Sequence, residues 1–152
     1  MSVEIRQVTA GDLSLLEGLM TTFGEAFEDR ETYTAARPSV AYSERLLRSE
    51  SFIALVALDE GRVVGGLAAY ELTKFERERS EIYIYDLAVL ATHRRRGIAT
   101  GLITALKRIA LGRRAYVIYV QADTGVEDAA AIALYTKLGR REDVLHFDIP
   151  VD

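Results

Sequence analysis

Two β-rich runs, SFIALVAL (51–58) and RVVGGLAAYEL (62–72), stand either side of the tripeptide DEG, and no other feature constrains the fold as strongly. A break that short, with glycine in it, is a hairpin signal, so the runs are expected to pair antiparallel. SEIYIYDLAVL (80–90) follows as a third consecutive strand. From about Gly97 to Leu111 the pattern turns helical, with Ile98, Leu102, Ile103, Leu106, Ile109 and Ala110 on one stripe. AYVIYVQA (115–122), dense in β-branched and aromatic residues, reads as a strand. DAAAIALYTKLG (128–139) reads as a helix that Asp128 is placed to cap and Gly139 to end. VLHFDIPV (144–151) closes the chain as a strand.

Ahead of the hairpin, VEIRQV (3–8) alternates like a strand. A helix follows behind Asp12 as cap, with Leu15, Leu16, Leu19, Met20 and Phe23 on one face. DRETYTAARPS (29–39) is polar, contains a proline and reads as a loop; AYSERLLRS (41–49) reads as a short helix. The order β-α-α-β-β-β-α-β-α-β predicts an α+β fold around one mixed sheet. With no repeat, low-complexity tract or linker in 152 residues, a single domain over 1–152 is expected.

The strand at 80–90 breaks its own rhythm. Ile82 and Ile84 step by two, whereas the next apolar pair, Leu87 and Val89, comes after a step of three. An extra residue near Tyr85–Asp86 would return Leu87 and Val89 to the face of Ile82 and Ile84, and would splay the strand from a neighbour. A strand buried on both faces would tolerate the same irregularity. The pattern alone leaves both open.

Charge narrows the partners. The net charge of −4 argues against general nucleic-acid binding, in which basic charge covers a whole face. It is compatible with a cationic small molecule or peptide. The absence of cysteine excludes disulfides and thiolate catalysis. The two histidines, His93 and His146, are too few for a structural metal site, so no metal is expected. No apolar stretch approaches a membrane span and the N-terminus lacks a signal-peptide layout, so the expectation is a cytoplasmic protein without a membrane partner.

Against this acidic background, VLATHRRRGIAT (89–100) carries three consecutive arginines and a glycine where a strand gives way to a helix. Such a junction points backbone N–H groups outward at the positive end of the helix dipole, an arrangement suited to a pyrophosphate. Gly97 permits close approach or an unusual φ, and Arg94, Arg95 and Arg96 add positive field. Taken alone, an RRRG run is more often a solvated helix start. Neither a Walker loop nor a GxGxxG pattern is present.

RRRGIA (94–99) fits the Q/R-x-x-G-x-G/A signature of the GNAT superfamily of N-acetyltransferases, and AIALYTKLG (131–139) resembles that superfamily's second signature. FIALVALDEGRVVGGLAAYELTKFE, RSEIYIYDLAV and AYVIYVQAD further resemble the type I aminoglycoside 3-N-acetyltransferases, from about Phe52 to Ile149. The resemblance is looser in the first fifty residues. It implies the GNAT fold: a central mixed, mostly antiparallel sheet flanked by helices, with a bulged, splayed central strand. It also implies acetyl-CoA as co-substrate and a cationic aminoglycoside of the gentamicin type as acceptor, acetylated at its 3-amino group by direct attack. Homodimers are common in the superfamily.

The same resemblance assigns roles. The backbone amides of about Arg95, Arg96, Gly97, Ile98, Ala99 and Thr100 bind the pyrophosphate, with Arg94 at the start of the loop. Leu87, Ala88 and Val89 offer main-chain hydrogen bonds to the pantetheine arm, as an added strand would. Tyr135 protonates or hydrogen-bonds the departing thiolate; read without the family it is a packed tyrosine. Asp128 is a helix cap with a cofactor contact as a further role. An ammonium has no lone pair, so the reaction needs a group that binds the cation and accepts its proton. Asp86, at the suspected bulge, is best placed, and Asp123 adds to a negative acceptor pocket. Glu28, Asp29, Glu142, Asp143 and Asp148 are weaker candidates, since acidic loop residues are usually only solvated. The alternatives are an acetyltransferase of the same fold for polyamines or peptide N-termini, and a non-catalytic acetyl-CoA-binding sensor module.

Overall fold

The hairpin forms, and it lies in the middle of a five-stranded sheet in the computed structural model, which describes residues 2–152. Two compact units are present, one running to Gln121 and the other Ala122–Asp152.

The larger unit contains β1 (Glu4–Val8), α1 (Leu13–Ala26), α2 (Val40–Arg48), β2 (Phe52–Asp59), β3 (Arg62–Thr73), β4 (Ser80–Val89), α3 (Ile98–Gly112) and β5 (Ala115–Val120). The strands are hydrogen-bonded in chain order, antiparallel from β1 to β4 and parallel between β4 and β5. The sheet is therefore mixed and mostly antiparallel, as expected. Asp59 pairs with Arg62, which leaves Glu60 and Gly61 to make the turn at φ 50° and 79°. Two consecutive left-handed residues match the right-handed twist of the flanking strands, which is why so short a break suffices.

Core packing covers the hairpin on both faces. Phe52, Ala54, Val56 and Leu58 of β2 cluster with Leu16, Leu19 and Phe23 of α1 and Leu47 of α2. The alternate residues Ile53, Leu55 and Ala57 are equally buried, and α3 presents Ile98, Leu102, Ile103, Leu106 and Ala110 inward. Each such leucine or isoleucine contributes about 1.5–3 kcal/mol. At Gly66 a Cβ would collide with the Leu19 side chain and the Leu55 carbonyl, so glycine is what lets α1 lie close on β3.

The break in β4 is a bulge. Ala69 pairs with Ile84 but Ala68 with Asp86, so Tyr85 is the extra residue. Ile84, Leu87 and Val89 consequently stand opposite Ala69, Leu67 and Gly65, alternate residues on one face of β3. Asp86 and Ala88 are turned to the other face, toward α1.

Several local expectations are corrected. Asp12 does not cap α1 with its side chain: the carboxylate accepts from Thr9 N at 3.0 Å and Thr9 Oγ1 at 2.9 Å. The nearer donors win it. Ser39 does cap α2, accepting from Tyr42 N at 3.1 Å. The segment 29–39 is not wholly irregular but holds a π-helical turn, Glu31–Ala35.

The smaller unit consists of a 3₁₀ turn, Val126–Asp128, leading into α4, Ala129–Leu138. Asp128 precedes α4 but does not cap it, because its carboxylate accepts from Asp123 N at 2.8 Å. Gly139 ends the helix, its N–H donating to Tyr135 O at 2.8 Å. The strand expected at 144–151 is not formed, and Val144, Leu145, Phe147 and Ile149 are exposed. Alternation supplies only the capacity to pair; a strand exists when another backbone accepts its hydrogen bonds.

A 3₁₀ turn at Ala91–His93 follows β4 and is tied to the hairpin by His93, whose Nε2 lies 2.8 Å from Asp59 Oδ2. A carboxylate oxygen can only accept, so Nε2 carries the proton, while Nδ1 meets Thr92 Oγ1 at 2.8 Å. The two side chains are only 12% and 15% exposed, and Asp59 Oδ1 is buried without a partner. His93→Ala leaves that carboxylate with neither oxygen paired and should destabilise the protein by about 1–3 kcal/mol in urea unfolding. An unchanged midpoint would show the pair to be neutral.

Candidate active site

The bulge at Tyr85 shapes the far end of β4. β5 pairs with β4 only from Ser80 to Ile84, so from Tyr85 to Val89 the edge facing β5 has no strand partner among the described residues. Leu90 N donates to Val64 O at 2.8 Å. The alternation of an antiparallel ladder then turns the main-chain groups of Ala88 toward β3 and those of Leu87 and Val89 to the open edge. Such an edge accepts an extended amide-bearing chain.

Beyond the 3₁₀ turn the chain reaches the arginine loop. Arg95 has φ 64° and Gly97, at the N-cap of α3, φ 76°. Left-handed residues at these two positions turn the backbone sharply just before α3. The first amides of α3, from Ile98 through Thr100, have no carbonyl one turn earlier to bond to and carry the positive end of the helix dipole. Arg94, Arg95, Arg96 and Gly97 are exposed. Arg94 is nevertheless engaged: its Nε donates to Val89 O at 3.0 Å, tying the loop back to the strand.

Asp86 faces α1 and is half-buried. The Tyr33 hydroxyl donates to its Oδ2 at 3.0 Å. Burial pushes the Asp86 carboxyl above the ordinary carboxylate range, and the Tyr33 bond offsets part of that rise. Burial and the neighbouring Asp86 charge hold the Tyr33 hydroxyl well above its usual range. Tyr33 was not among the residues singled out by sequence. Its one signal is that it is the only aromatic in DRETYTAARPS.

In the smaller unit, Tyr135 lies on the face of α4 shared with Ala131 and Leu138, and all three are half-buried. Its hydroxyl is pushed up to about 12, first by burial and then by the charge of Asp128. The Asp123 side chain is exposed, and its N–H is the group that occupies Asp128. The remaining acidic candidates do local or solvated work. Asp29 accepts from Thr32 N at 3.2 Å, Asp148 meets His146 Nε2 at 2.9 Å, and Glu28, Glu142 and Asp143 are exposed. Among the described residues no group of three or more histidines and carboxylates is placed to hold a metal.

The acetyltransferase (GNAT) family model matches residues 14–139. Among solved structures, the chain is similar to an aminoglycoside acetyltransferase from an uncultured soil metagenomic sample, at 65% identity over 100% of both chains with a TM-score of 0.98. A second aminoglycoside acetyltransferase from an uncultured soil metagenomic sample, in complex with sisomicin, is 30% identical over 99% of this chain and 97% of its own, with a TM-score of 0.89. The aminoglycoside N-acetyltransferase AAC(6')-Iy in complex with CoA shares the fold at 20% identity, 99% and 96% coverage and a TM-score of 0.74. No curated protein sequence matches the chain.

A Cβ at Gly97 would meet nothing within 4 Å, so substitution there is opposed by the left-handed backbone rather than by packing. Gly97→Val forces a β-branched residue to φ 76° or moves the amides; if the loop holds acetyl-CoA, as the resemblance implies, the variant should bind it at least tenfold more weakly by calorimetry. Asparagine tolerates the left-handed region, so Gly97→Asn should retain most of the affinity. Equal affinities for a folded valine variant and the parent would refute the loop's role.

Proposed function

The chain belongs to the GNAT family of acetyltransferases, and from that premise we propose that it transfers the acetyl group of acetyl-CoA to the 3-amino group of an aminoglycoside. The observation that carries this reading is a half-buried carboxylate, Asp86, fixed at a strand bulge directly before an open backbone edge. Identity of 65% over its full length to an aminoglycoside acetyltransferase supports the acceptor class, and the sequence resemblance to the type I 3-N enzymes supports the position.

Acetyl-CoA, a substrate here, supplies the thioester. The arginine loop binds its pyrophosphate through main-chain N–H, and Leu87 and Val89 hold the pantetheine amides along the open edge. Asp86 draws in an ammonium group and accepts its proton. The freed nitrogen pair attacks the thioester carbonyl, whose oxygen gains charge stabilised by main-chain N–H of the splayed strand. As the new C–N bond forms the C–S bond breaks; Tyr135 gives a proton to the leaving thiolate, and the second proton of the former ammonium leaves the nitrogen and returns through solvent to the tyrosine, so that amide, CoA thiol and the one proton on Asp86 remain. Asp123 adds negative charge that draws in the cationic acceptor, and Asp128 makes a cofactor contact. With the hydroxyl of Tyr135 pushed up to about 12, it is protonated at neutral pH, as a donor must be. The product has one positive charge fewer, which is the chemical basis for gentamicin-type resistance. The reaction takes place in the cytoplasm, where acetyl-CoA is supplied.

Turnover should be found with sisomicin and gentamicin and be absent with spermidine and a peptide N-terminus, the product carrying acetyl at N3 by NMR. Acetylation at another nitrogen would correct the position, and preference for spermidine or the peptide would overturn the acceptor class. Asp86→Asn should lower kcat/KM roughly 10²-fold or more, leave acetyl-CoA affinity intact and be partly rescued at high pH, where more amine arrives neutral. Tyr135→Phe should lower kcat roughly tenfold with little change in KM for the amine, because a thiolate can leave unaided but more slowly. Wild-type turnover in this variant across the pH range would show Tyr135 to be only a packed side chain.

A further inference from the structure

Asp86 does not stand alone. The Tyr33 hydroxyl that donates to its Oδ2 comes from the opposite side of the site, on a segment with no strand or α-helical frame of its own. That segment is built to hold the ring still. Asp29 N donates to Gly24 O at 2.9 Å, Thr32 N to Asp29 Oδ1 at 3.2 Å and Thr34 Oγ1 to Arg30 O at 2.8 Å, which ties the π-helical turn to the end of α1. π-type turns are rare and concentrate at functional positions. The Tyr33 ring then packs against Phe23 and Phe27, each 5.7 Å away between centroids. At Gly24 a Cβ would crowd Thr34 at 3.3 Å and Tyr33 at 3.5 Å, so glycine lets the turn sit against the helix.

We propose that Tyr33 is a positioning residue that fixes Asp86 Oδ2 through its hydroxyl, so that Oδ1 alone is presented to the acceptor amine. The inference rests on the assignment of Asp86 as the base. A carboxylate free to rotate would divide its time among orientations; one oxygen held by a donor leaves a single acceptor with a defined direction, and misplacement by about 1 Å costs up to 10²-fold in rate. The other titratable groups near Asp86 are Tyr70 on β3 and Tyr83 and Tyr85 on β4, while Asp29 acts on Tyr33. Among the described residues no cation offsets the burial of Asp86, so the Tyr33 bond is the counterweight that favours its charged form.

Tyr33→Phe removes the donor and keeps the ring between Phe23 and Phe27, so packing and hydrogen bonding are separated. The test is an NMR titration of ¹³C-carboxyl-aspartate protein, with the Asp86 resonance identified by its loss in Asp86→Asn. Without the donor the charged form is less favoured, so the Asp86 midpoint should rise by roughly one pH unit. The acid limb of kcat/KM with sisomicin should move up with it, and kcat at neutral pH should fall about tenfold while KM for acetyl-CoA stays unchanged. If Asp86→Asn is impaired but Tyr33→Phe shows the parent's midpoint and kcat, the Tyr33 inference fails and the base assignment stands. If Asp86→Asn keeps full efficiency, the base assignment fails, and the positioning role of Tyr33 fails with it.

Discussion

One extra residue in β4 decides the arrangement of everything that follows it. Without the bulge at Tyr85, strand alternation would place Asp86 among Ile82 and Ile84, in the core under α3, where a carboxylate has no partner. With it, Leu87 and Val89 take the core positions and Asp86 turns to the α1 side, within reach of Tyr33. The same irregularity coincides with the point at which β5 stops pairing, so the carboxylate and the open backbone edge arise from a single step in register. The edge then runs through a 3₁₀ turn pinned by His93 and Asp59 into the arginine loop and α3.

The features that could be read from sequence are those in which the residue pattern is itself the cause. The step of three between Ile84 and Leu87 marks where the strand must be irregular, and the register shift at Tyr85 makes that irregularity a bulge rather than a strand buried on both faces. The two-residue turn in DEG and the stripe from Ile98 to Ala110 are of the same kind. Asp12 and Asp128 differ because a carboxylate before a helix has competing donors: Thr9 N and Oγ1 take one, Asp123 N the other. The segment 144–151 alternates as a strand does, but pairing depends on a partner that its own sequence cannot specify. Tyr33 is the extreme case, meeting Asp86 across 53 positions of chain, and no local pattern encodes such a contact.

The basic run has a more divided role than its charge suggests. Arg94 spends its Nε on Val89 O, and so acts as a brace between strand and loop as well as a source of positive field. The proposed anion contact then falls to the main chain around the left-handed Arg95 and Gly97, with Arg95 and Arg96 exposed beside it. Main-chain donors fixed by backbone geometry cost little entropy on binding, whereas an exposed arginine must be immobilised first. Local concentration of positive charge on a chain of net charge −4 also keeps the rest of the surface attractive to a cation.

Burial acts on the two proposed proton-transfer groups in the same direction: it makes a carboxylate a stronger base and a phenol a weaker acid. Removing water penalises the charged form, and for both a carboxyl and a phenol the charged form is the deprotonated one. Tyr135, pushed up to about 12, therefore keeps its proton at neutral pH and is a weaker acid than a solvated tyrosine. Asp86, pushed up as well, becomes a better proton acceptor than a solvated carboxylate, provided it is not driven so far that it is already protonated at the working pH. That limit is where the hydroxyl of Tyr33 matters. By donating to the carboxylate it restrains the rise that burial imposes, so basicity and ionisation are set against one another by a single hydrogen bond. Graded removal of water and one donor aimed at one oxygen thus act in opposite senses on the Asp86 carboxyl.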